Sequence, residues 1–371
     1  MKVLLIDDVH EVLTIGLLQA GWEVDYQPNL KKEEFLHALK ASQPNGVVVR
    51  SKLNMESTHL DEMKRLGVEW IARAGAGVDN IDVEYASRIG IKLIHAVGAN
   101  ADSVAEHMVG MLLSLRHNLY RSHAEVMQFQ WNREKNRGVE IHGKTLGIIG
   151  YGHTGSKLAQ KLSGFGMKIL AYDKYHPVLN ENTTQDGGHL LGSNRLSNED
   201  EHGLKQSKLG VVSNYDVNGN LISPKNPKSL TEEIRFTNQV KGVELEELKR
   251  ESDIISFHVP LTDETRNWVN DDFLEGCKPG LVLLNGSRGE VVQLKTVLKH
   301  LENNKLSGFA ADVLEVEPPS KMDDHTREVF EKLGTFSNVM FSPHIAGWSV
   351  ESYRQISEYL LRKIMKYNDM G

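Results

Sequence analysis

Three side chains near the end of the sequence could do acid–base and anion chemistry, and each lies just beyond an apolar run. They are Arg288 in segment 285–289, Glu317 in 312–318 and His344 in 342–347. An arginine fork can bind a carboxylate through two parallel hydrogen bonds, and a histidine can exchange a proton near neutral pH. A glutamate beside the histidine would orient the imidazole and raise its pKa. Spacing cannot show that the three meet; taken singly they also fit a surface ion-pair donor, a solvated loop acid and a turn residue.

A glycine pattern suited to dinucleotide binding lies mid-chain. Gly150, Gly152 and Gly155 follow the apolar run 146–149 and precede a helical stretch. Such glycines permit a tight turn and close backbone approach to pyrophosphate, whose charge the helix N-terminus favours. Asp173 ends the next predicted strand, about 20 residues on, where a carboxylate can bind ribose hydroxyls and repel a 2′-phosphate. NAD is therefore favoured over NADP, and the alternative for Asp173 is a strand-end turn residue.

Short apolar runs alternate with amphipathic stretches in the first hundred residues, which is typical of parallel strands covered by helices. Strands are predicted at 3–6, 24–26, 46–50 and 70–74, and helices at 11–20, 32–41 and 59–66. In open α/β sheets, ligands bind beyond the carboxyl ends of the strands. The three reactive segments are expected at such an edge.

A second series of strands and helices begins near Thr145. Its strands are predicted at 146–149, 167–172, 253–258, 281–285, 308–312 and 339–342, with a last helix near 350–366. A polar segment at about 176–240 interrupts the series and is interpreted as a surface insertion. Before the series, a long helix should begin at Asp102 or Ser103, and its apolar surface fits either intrachain core or a dimer interface.

Length and composition bound the class of protein. The 371 residues exceed the usual size of one compact domain, so two domains are expected. The formal net charge of −7 gives no general basic footprint for nucleic acid. No stretch approaches the ~20 apolar residues of a membrane helix. The single cysteine, Cys277, excludes an internal disulfide or a cysteine metal cluster, and a cytoplasmic location is therefore expected. No histidine spacing indicates a metal site.

Several motifs, in the same order along the chain, resemble the D-isomer-specific 2-hydroxyacid dehydrogenase family. They are segments 73–82 (RAGAGVDNID), 100–107 (NADSVAEH) and 258–262 (HVPLT), the glycine loop and the three C-terminal segments. Within the family, the chain is most similar to short D-3-phosphoglycerate dehydrogenases without a regulatory domain. The resemblance covers nearly the whole chain apart from 176–240.

The resemblance implies a fold and a reaction. The fold is α/β, with two Rossmann-like, doubly wound parallel-sheet domains and a cleft between them. Residues 1–99 plus 347–371 would bind substrate, 100–346 would bind NAD, and region 102–130 would form a homodimer. The reaction would be reversible hydride transfer between the nicotinamide and C2 of a 2-hydroxy or 2-keto acid, with 3-phosphoglycerate among the candidate substrates.

The resemblance also assigns residues to roles. Arg288, Glu317 and His344 would be catalytic. The implied NAD contacts are Gly150, Gly152, His153, Thr154, Gly155, Asp173, His258, Val259, Pro260, Thr265, Gly286, Ser287, Asp312 and Gly347. The implied substrate contacts are Arg50, Ser51, Arg73, Ala76, Gly77, Val78, Asn100, Arg288 and His344.

Two departures from the family pattern bear on the substrate. Phosphoglycerate dehydrogenases usually have Arg-Ser-x-Thr at 50–53, so Leu53 replaces a polar residue near the expected substrate phosphate, although Arg50 and Arg73 remain. Trp348 stands where smaller residues are common, and its ring should either pack against the last helix or line the pocket.

Other functions stay open. A dinucleotide-sensing, corepressor-like protein with little turnover would share the fold, and a glyoxylate or hydroxypyruvate reductase would share the mechanism. A formate-type dehydrogenase would have glutamine beside the histidine, so Glu317 counts against it. A purely structural protein would leave the glycine loop unexplained.

Overall fold

Two parallel β-sheets form the molecule, whose computed structural model describes residues 1–175 and 240–369. The insertion predicted at 176–240 lies outside these described residues except for Val240, which belongs to a strand. Each sheet has a hydrophobic core on both of its faces. The predicted doubly wound α/β class is therefore confirmed.

The first sheet has five parallel strands in the order β2-β1-β3-β4-β5. They are β1 (Lys2–Leu5), β2 (Glu23–Tyr26), β3 (Gly46–Val49), β4 (Trp70–Arg73) and β5 (Lys92–His95). The helices between them are α1 (Glu11–Gln19), α2 (Phe35–Ser42), α3 (Ser57–Arg65) and α4 (Val83–Arg88). Val47 and Val49 pack into one core and Val48 into the opposite one, as expected of a strand buried on both faces.

The second sheet has seven parallel strands in the order β12-β11-β10-β9-β6-β7-β8. They are β6 (Thr145–Ile149), β7 (Lys168–Tyr172), β8 (Val240–Gly242), β9 (Ile254–Phe257), β10 (Leu281–Asn285), β11 (Leu306–Ala311) and β12 (Val339–Phe341). The helices around them are α5 (Ala101–Arg116), α6 (Leu119–Met127), α7 (His153–Leu162), α8 (Leu245–Glu251), α9 (Asp271–Glu275), α10 (Leu294–Glu302) and α11 (Asp324–Gly334).

The last helix, α12 (Val350–Asp369), returns the chain to the first sheet. Its residues Ile356, Leu360 and Ile364 are buried in a core shared with β1, β3 and β4. A Cβ at Gly16 of α1 would lie 2.2 Å from Leu361 Cδ2, so the absence of a side chain there lets the two helices approach closely. The last helix predicted near 350–366 is therefore present, and its buried residues form the face that packs on the first sheet.

Short elements account for most differences from the sequence prediction. Strand β5 and the six-residue helix α4 were not predicted, because elements of this length show too little periodicity. Helix α4 begins instead on a local cap, in which the Asp82 carboxylate accepts a hydrogen bond from the Tyr85 amide. Helix α7 begins at His153, inside the glycine loop, earlier than the predicted helical stretch.

Candidate active site

The three reactive segments follow strands β10, β11 and β12, which lie side by side. Their carboxyl ends therefore share one edge of the second sheet. At this edge Glu317 Oε2 lies 2.7 Å from His344 Nδ1. The other carboxylate oxygen accepts a hydrogen bond from the Leu314 amide at 2.9 Å. With Nδ1 held in this way, Nε2 is the imidazole nitrogen that can exchange a proton with a ligand.

Glu317 and His344 each stabilise the charged form of the other. The hydrogen bond to Glu317 is the main reason that the pKa of His344 is raised, and it outweighs burial, which acts in the opposite direction. Burial favours a higher pKa for Glu317, but the hydrogen bonds from His344 and the Leu314 amide outweigh it and keep this pKa below its ordinary value. Arg288 lowers the pKa of both groups, so its charge acts in the same site.

The backbone of the histidine segment is held by Asp312. His344 has φ of 56°, in the left-handed region that non-glycine residues seldom adopt. Its amide donates to the Asp312 carbonyl at 2.8 Å. The buried Asp312 carboxylate accepts hydrogen bonds from the amides of Ile345 (2.9 Å) and Ala346 (2.7 Å). In this structure Asp312, predicted to bind NAD, uses its carboxylate to fix the loop that carries His344.

Arg288 reaches from the second sheet to the loop that follows β4. Its Nε and Nη2 donate to Asp79 Oδ2 at 2.9 and 2.6 Å, and its Nη1 donates to the Ser287 carbonyl at 2.7 Å. A Cβ at Gly77 would lie 2.0 Å from Arg288 Nη2. Only glycine therefore admits the guanidinium this close to the 76–78 backbone, which was predicted to bind substrate.

A cavity of about 460 Å³ lies between the two sheets at this point. Residues from both sides line it, among them Ala76, Gly77, Val78, His95, Pro260 and Arg288. Arg288, the 76–78 backbone and Pro260 are thus brought together as predicted from the motifs. His95 was not predicted; its Nδ1 lies 2.8 Å from the Ala76 carbonyl oxygen, to which it can donate a hydrogen bond.

Two more arginines, Arg50 and Arg73, lie at the carboxyl ends of β3 and β4. Burial is the main reason that the pKa of Arg73 falls to about 10, and repulsion from Arg288 and Arg50 contributes. Among the described residues, the buried Arg73 Nε has no hydrogen-bond partner. Leu53, in contrast, is 7% exposed and packs into the core of the first sheet. Placing Leu53 beside a substrate phosphate was therefore wrong, because the chain turns this side chain inward after β3.

The glycine loop has the geometry that a dinucleotide requires. Gly150 has φ of 92°, and a Cβ there would lie 2.5 Å from the His258 carbonyl oxygen. At Gly155 a Cβ would lie 2.2 Å from the Gly150 carbonyl, whereas at Gly152 it would meet no atom within 4 Å. The first and third glycines thus serve close packing, and the second faces open space at the N-terminus of α7. Pyrophosphate would fit there, and the helix amides would bind it.

Asp173 lies beside this loop, as predicted. Its Oδ2 accepts a hydrogen bond from the Tyr151 amide at 2.9 Å, and its Oδ1 accepts one from the Tyr175 amide at 3.0 Å. A carboxylate has about four acceptor positions, so it can bind ribose hydroxyls while keeping both backbone bonds.

The remaining predicted NAD contacts lie around the loop but differ in how far their side chains are already buried or hydrogen-bonded within the protein. Burial of the His258 imidazole lowers its pKa to about 4, and its Nε2 lies 2.9 Å from Ser256 Oγ. Thr265 Oγ1 donates to the Pro260 carbonyl at 2.7 Å and shapes the turn after β9. Ser287 is buried with its hydroxyl on Asn285. His153 lies beside Gly98, and Asn100 beside Gly347, where the two sheets meet.

Sequence reasoning missed a hydrogen-bonded chain behind the histidine loop. His107 Nε2 lies 2.8 Å from Ser342 Oγ, which donates to Asp312 Oδ1 at 2.6 Å. His107 and Ser342 lie within the motifs at 100–107 and 342–347, but the sequence assigned no role to either side chain. No spacing signal joins positions more than two hundred residues apart.

Other chemistries find little support in residues 1–175 and 240–369. No group of three or more His, Cys, Asp or Glu in these ranges could hold a metal ion. Burial raises the pKa of Cys277 to about 12, which makes this thiol a poor nucleophile. Across the same ranges, each helix is too short or too polar to pass through a bilayer.

The chain is similar to known proteins in sequence. Residues 109–194 and 220–346 match the family of the D-isomer specific 2-hydroxyacid dehydrogenase, NAD binding domain. Hydroxypyruvate reductase of Thermotoga maritima is 30% identical over 91% of this chain and 89% of its own length. D-3-phosphoglycerate dehydrogenase of Methanocaldococcus jannaschii is 29% identical over 99% of this chain, which spans only 57% of that relative.

A solved structure agrees on the fold. D-lactate dehydrogenase of Aquifex aeolicus, solved with NAD and lactic acid, has a TM-score of 0.71 at 22% identity, covering 100% of this chain and 96% of that one. Two parallel-sheet α/β domains, together with the match to a dehydrogenase NAD-binding domain, define a dinucleotide-dependent enzyme. The chain belongs to the D-isomer-specific 2-hydroxyacid dehydrogenase family. It is accordingly an oxidoreductase that acts on the CH–OH group of 2-hydroxy acids with NAD.

Proposed function

We propose that Arg288, Glu317 and His344 carry out this reaction on a 2-hydroxy acid whose reacting C2 lies in the cleft. The observation that supports the proposal most directly is the 2.7 Å hydrogen bond between Glu317 and His344 at the edge of the sheet where Arg288 also acts. When bound there, the nicotinamide accepts hydride from C2 or donates it.

The residues have separate tasks. Arg288 binds the substrate carboxylate and polarises the C2 oxygen, together with the 76–78 backbone. His344 Nε2 takes the hydroxyl proton during oxidation and returns it to the carbonyl oxygen during reduction. Glu317 fixes the ring and stabilises the imidazolium that forms. Proton transfer by such a positioned group is typically worth about 10²–10⁴-fold in rate.

For the substrate we propose an acid with a second anionic group, 3-phosphoglycerate being the first candidate. The support is the pair of arginines, Arg50 and Arg73: no described residue accepts a hydrogen bond from the Arg50 guanidinium or from Arg73 Nε. Relatives named D-3-phosphoglycerate dehydrogenase support the same substrate. The relative named hydroxypyruvate reductase keeps a singly charged acid as the second candidate.

The deciding experiment follows NADH oxidation with 3-phosphohydroxypyruvate, hydroxypyruvate, glyoxylate and pyruvate. Turnover selective for the phosphorylated acid would support 3-phosphoglycerate as substrate. Turnover only of the other acids would support the reductase alternative. Tight NADH binding without any turnover would favour a dinucleotide-sensing protein and contradict the proposed reaction.

We further propose a homodimer through region 102–130. Large apolar side chains on α6 and just beyond it are 48–101% exposed in the single chain. They are Leu119, Tyr120, Val126, Met127, Phe129 and Trp131. Six large exposed apolar side chains within thirteen residues of the chain favour a self-complementary contact. Sedimentation should give a dimer for the natural sequence, and Phe129→Ser with Trp131→Ser should give a monomer; identical masses would contradict the proposal.

The domain bounds proposed are 1–99 plus 347–371 for substrate and 100–346 for NAD. The packing of α12 on α1 supports assigning the C-terminal helix to the first sheet. A cytoplasmic location is proposed as well, because the single, buried Cys277 forms no disulfide.

A further inference from the structure

Arg50 stacks on Trp348. The guanidinium carbon of Arg50 lies 3.6 Å from the centre of the indole ring, which places the planar cation on the aromatic face. Arg50 directly follows β3 of the first sheet, and Trp348 comes four residues after His344. The stack therefore ties the segment of the acid–base histidine to the carboxyl end of the first sheet.

Further contacts hold the Trp348 ring and the Arg50 backbone in place. The ring of Tyr353 meets Trp348 edge-on at 5.1 Å, and the Tyr353 hydroxyl donates to Asp8 Oδ2 at 2.9 Å. The Arg50 amide donates to Asp7 Oδ2 at 2.6 Å. Trp348 thus packs against Tyr353 of the last helix and against the guanidinium of Arg50.

The stack leaves the N–H edge of Arg50 available. No residue in the described ranges accepts a hydrogen bond from its guanidinium, and Arg73 Nε beside it is buried and unpartnered there too. Burial lowers the pKa of Arg50, and Asp7 and Asp8 only partly offset this effect. Two desolvated cations that repel each other favour an anion between them.

We propose that Trp348 is a positioning residue for substrate selection: it fixes Arg50 so that Arg50 and Arg73 bind a second anionic group of the substrate. That group is a phosphate or a second carboxylate, remote from the carboxylate held by Arg288. The inference rests on the proposed function and deepens it.

The test measures binding, by calorimetry, to the NADH-saturated protein. The ligands are 3-phospho-D-glycerate, D-malate and D-glycerate, which separate a phosphate, a second carboxylate and a single charge. Trp348→Leu should weaken binding of the preferred doubly anionic ligand about five- to thirtyfold, as expected for a desolvated cation–π contact. D-Glycerate should be affected far less, and Trp348→Phe should restore most of the loss.

Two further variants keep the result interpretable if Trp348→Leu folds poorly. Arg50→Lys keeps the charge but loses the planar stack and should show the same selective weakening. In an Arg50→Met background, the Trp348→Phe and Trp348→Leu variants should have the same affinity as each other for each of the three ligands, because Trp348 acts through Arg50. Val350→Ser, at a neighbouring residue that is 83% exposed, is the matched control.

Several outcomes would overturn the inference: equal weakening for all three ligands, no weakening, or full additivity with Arg50→Met. A natural protein that prefers D-glycerate would overturn it as well. Selective binding without turnover in the NADH assay would contradict the proposed reaction alone. Turnover without selectivity would contradict this inference and the doubly anionic substrate, but not the proposed reaction.

Discussion

Arg288 donates two hydrogen bonds to a single oxygen of Asp79, at 2.9 and 2.6 Å, and so joins the loop after β10 to the loop after β4. The pair crosses between the two sheets at the cavity. Burial alone would raise the pKa of Asp79, but the bonds to Arg288 keep it below its ordinary value. Asp79 therefore holds part of the fork that a substrate carboxylate would use, and it orients the guanidinium before substrate arrives.

Asp79→Asn should destabilise the free protein and spare the ligand-bound protein. Both side chains are partly exposed, so the pair contributes about 1 kcal/mol, or a few degrees in melting temperature. Thermal unfolding with and without NADH plus the best hydroxy acid measures this. An equal loss in both states would show that Asp79 does not compete with substrate for Arg288.

His344→Ala should keep NAD binding and lose turnover. No described contact links the imidazole to the glycine loop, so NADH affinity should stay within about twofold while kcat falls by about 10²–10⁴. Fluorescence titration with NADH and steady-state kinetics test the two halves separately. A kcat close to that of the natural protein would remove His344 as the acid–base group.

Glu317→Gln should shift the pH profile to lower pH. Glu317 raises the pKa of His344, so losing the carboxylate returns that pKa toward its ordinary value. Reduction of a keto acid needs the imidazolium, and its rate should therefore fall at a lower pH in the variant. Oxidation needs the neutral ring, and its rate should begin to rise at a lower pH.

The control for this profile is Glu315→Gln. Glu315 lies two residues earlier and accepts a hydrogen bond from the Leu294 amide at 3.0 Å. The Glu315→Gln variant should leave the pH dependence of both reduction and oxidation unchanged. Profiles of Glu317→Gln that coincide with those of the natural protein would contradict the role of Glu317.

The fold and the positions of the reactive segments were predictable, because both depend on local patterns. Alternating apolar runs gave the parallel strands, and strand ends gave the common edge for Glu317 and His344. Apart from the insertion, the short elements α4 and β5 escaped, and helices α8, α9, α10 and α11 around the second sheet were given no bounds. Sequence did not show the hydrogen bond between Glu317 and His344, because that depends on side-chain directions on neighbouring strands.

Individual side-chain contacts between distant parts of the chain were not predictable. Arg288 and Asp79, or Arg50 and Trp348, lie more than two hundred residues apart, and no local pattern links them. Leu53 shows the opposite error: a position in a motif suggested the pocket, but the side chain packs into the core. Leu53 lies in the bend after β3, where the alternation of a strand no longer fixes the direction of a side chain.

Asp173→Ala should weaken NAD relative to NADP. The carboxylate can accept hydrogen bonds from the ribose hydroxyls and repels a 2′-phosphate, so its removal acts on the ratio twice. We expect the kcat/KM ratio of NAD over NADP to fall about tenfold or more, in line with the loss of charged hydrogen bonds. Asp173→Asn retains an acceptor for the Tyr151 amide and separates loop support from charge. An unchanged ratio in both variants would mean that another residue recognises the ribose.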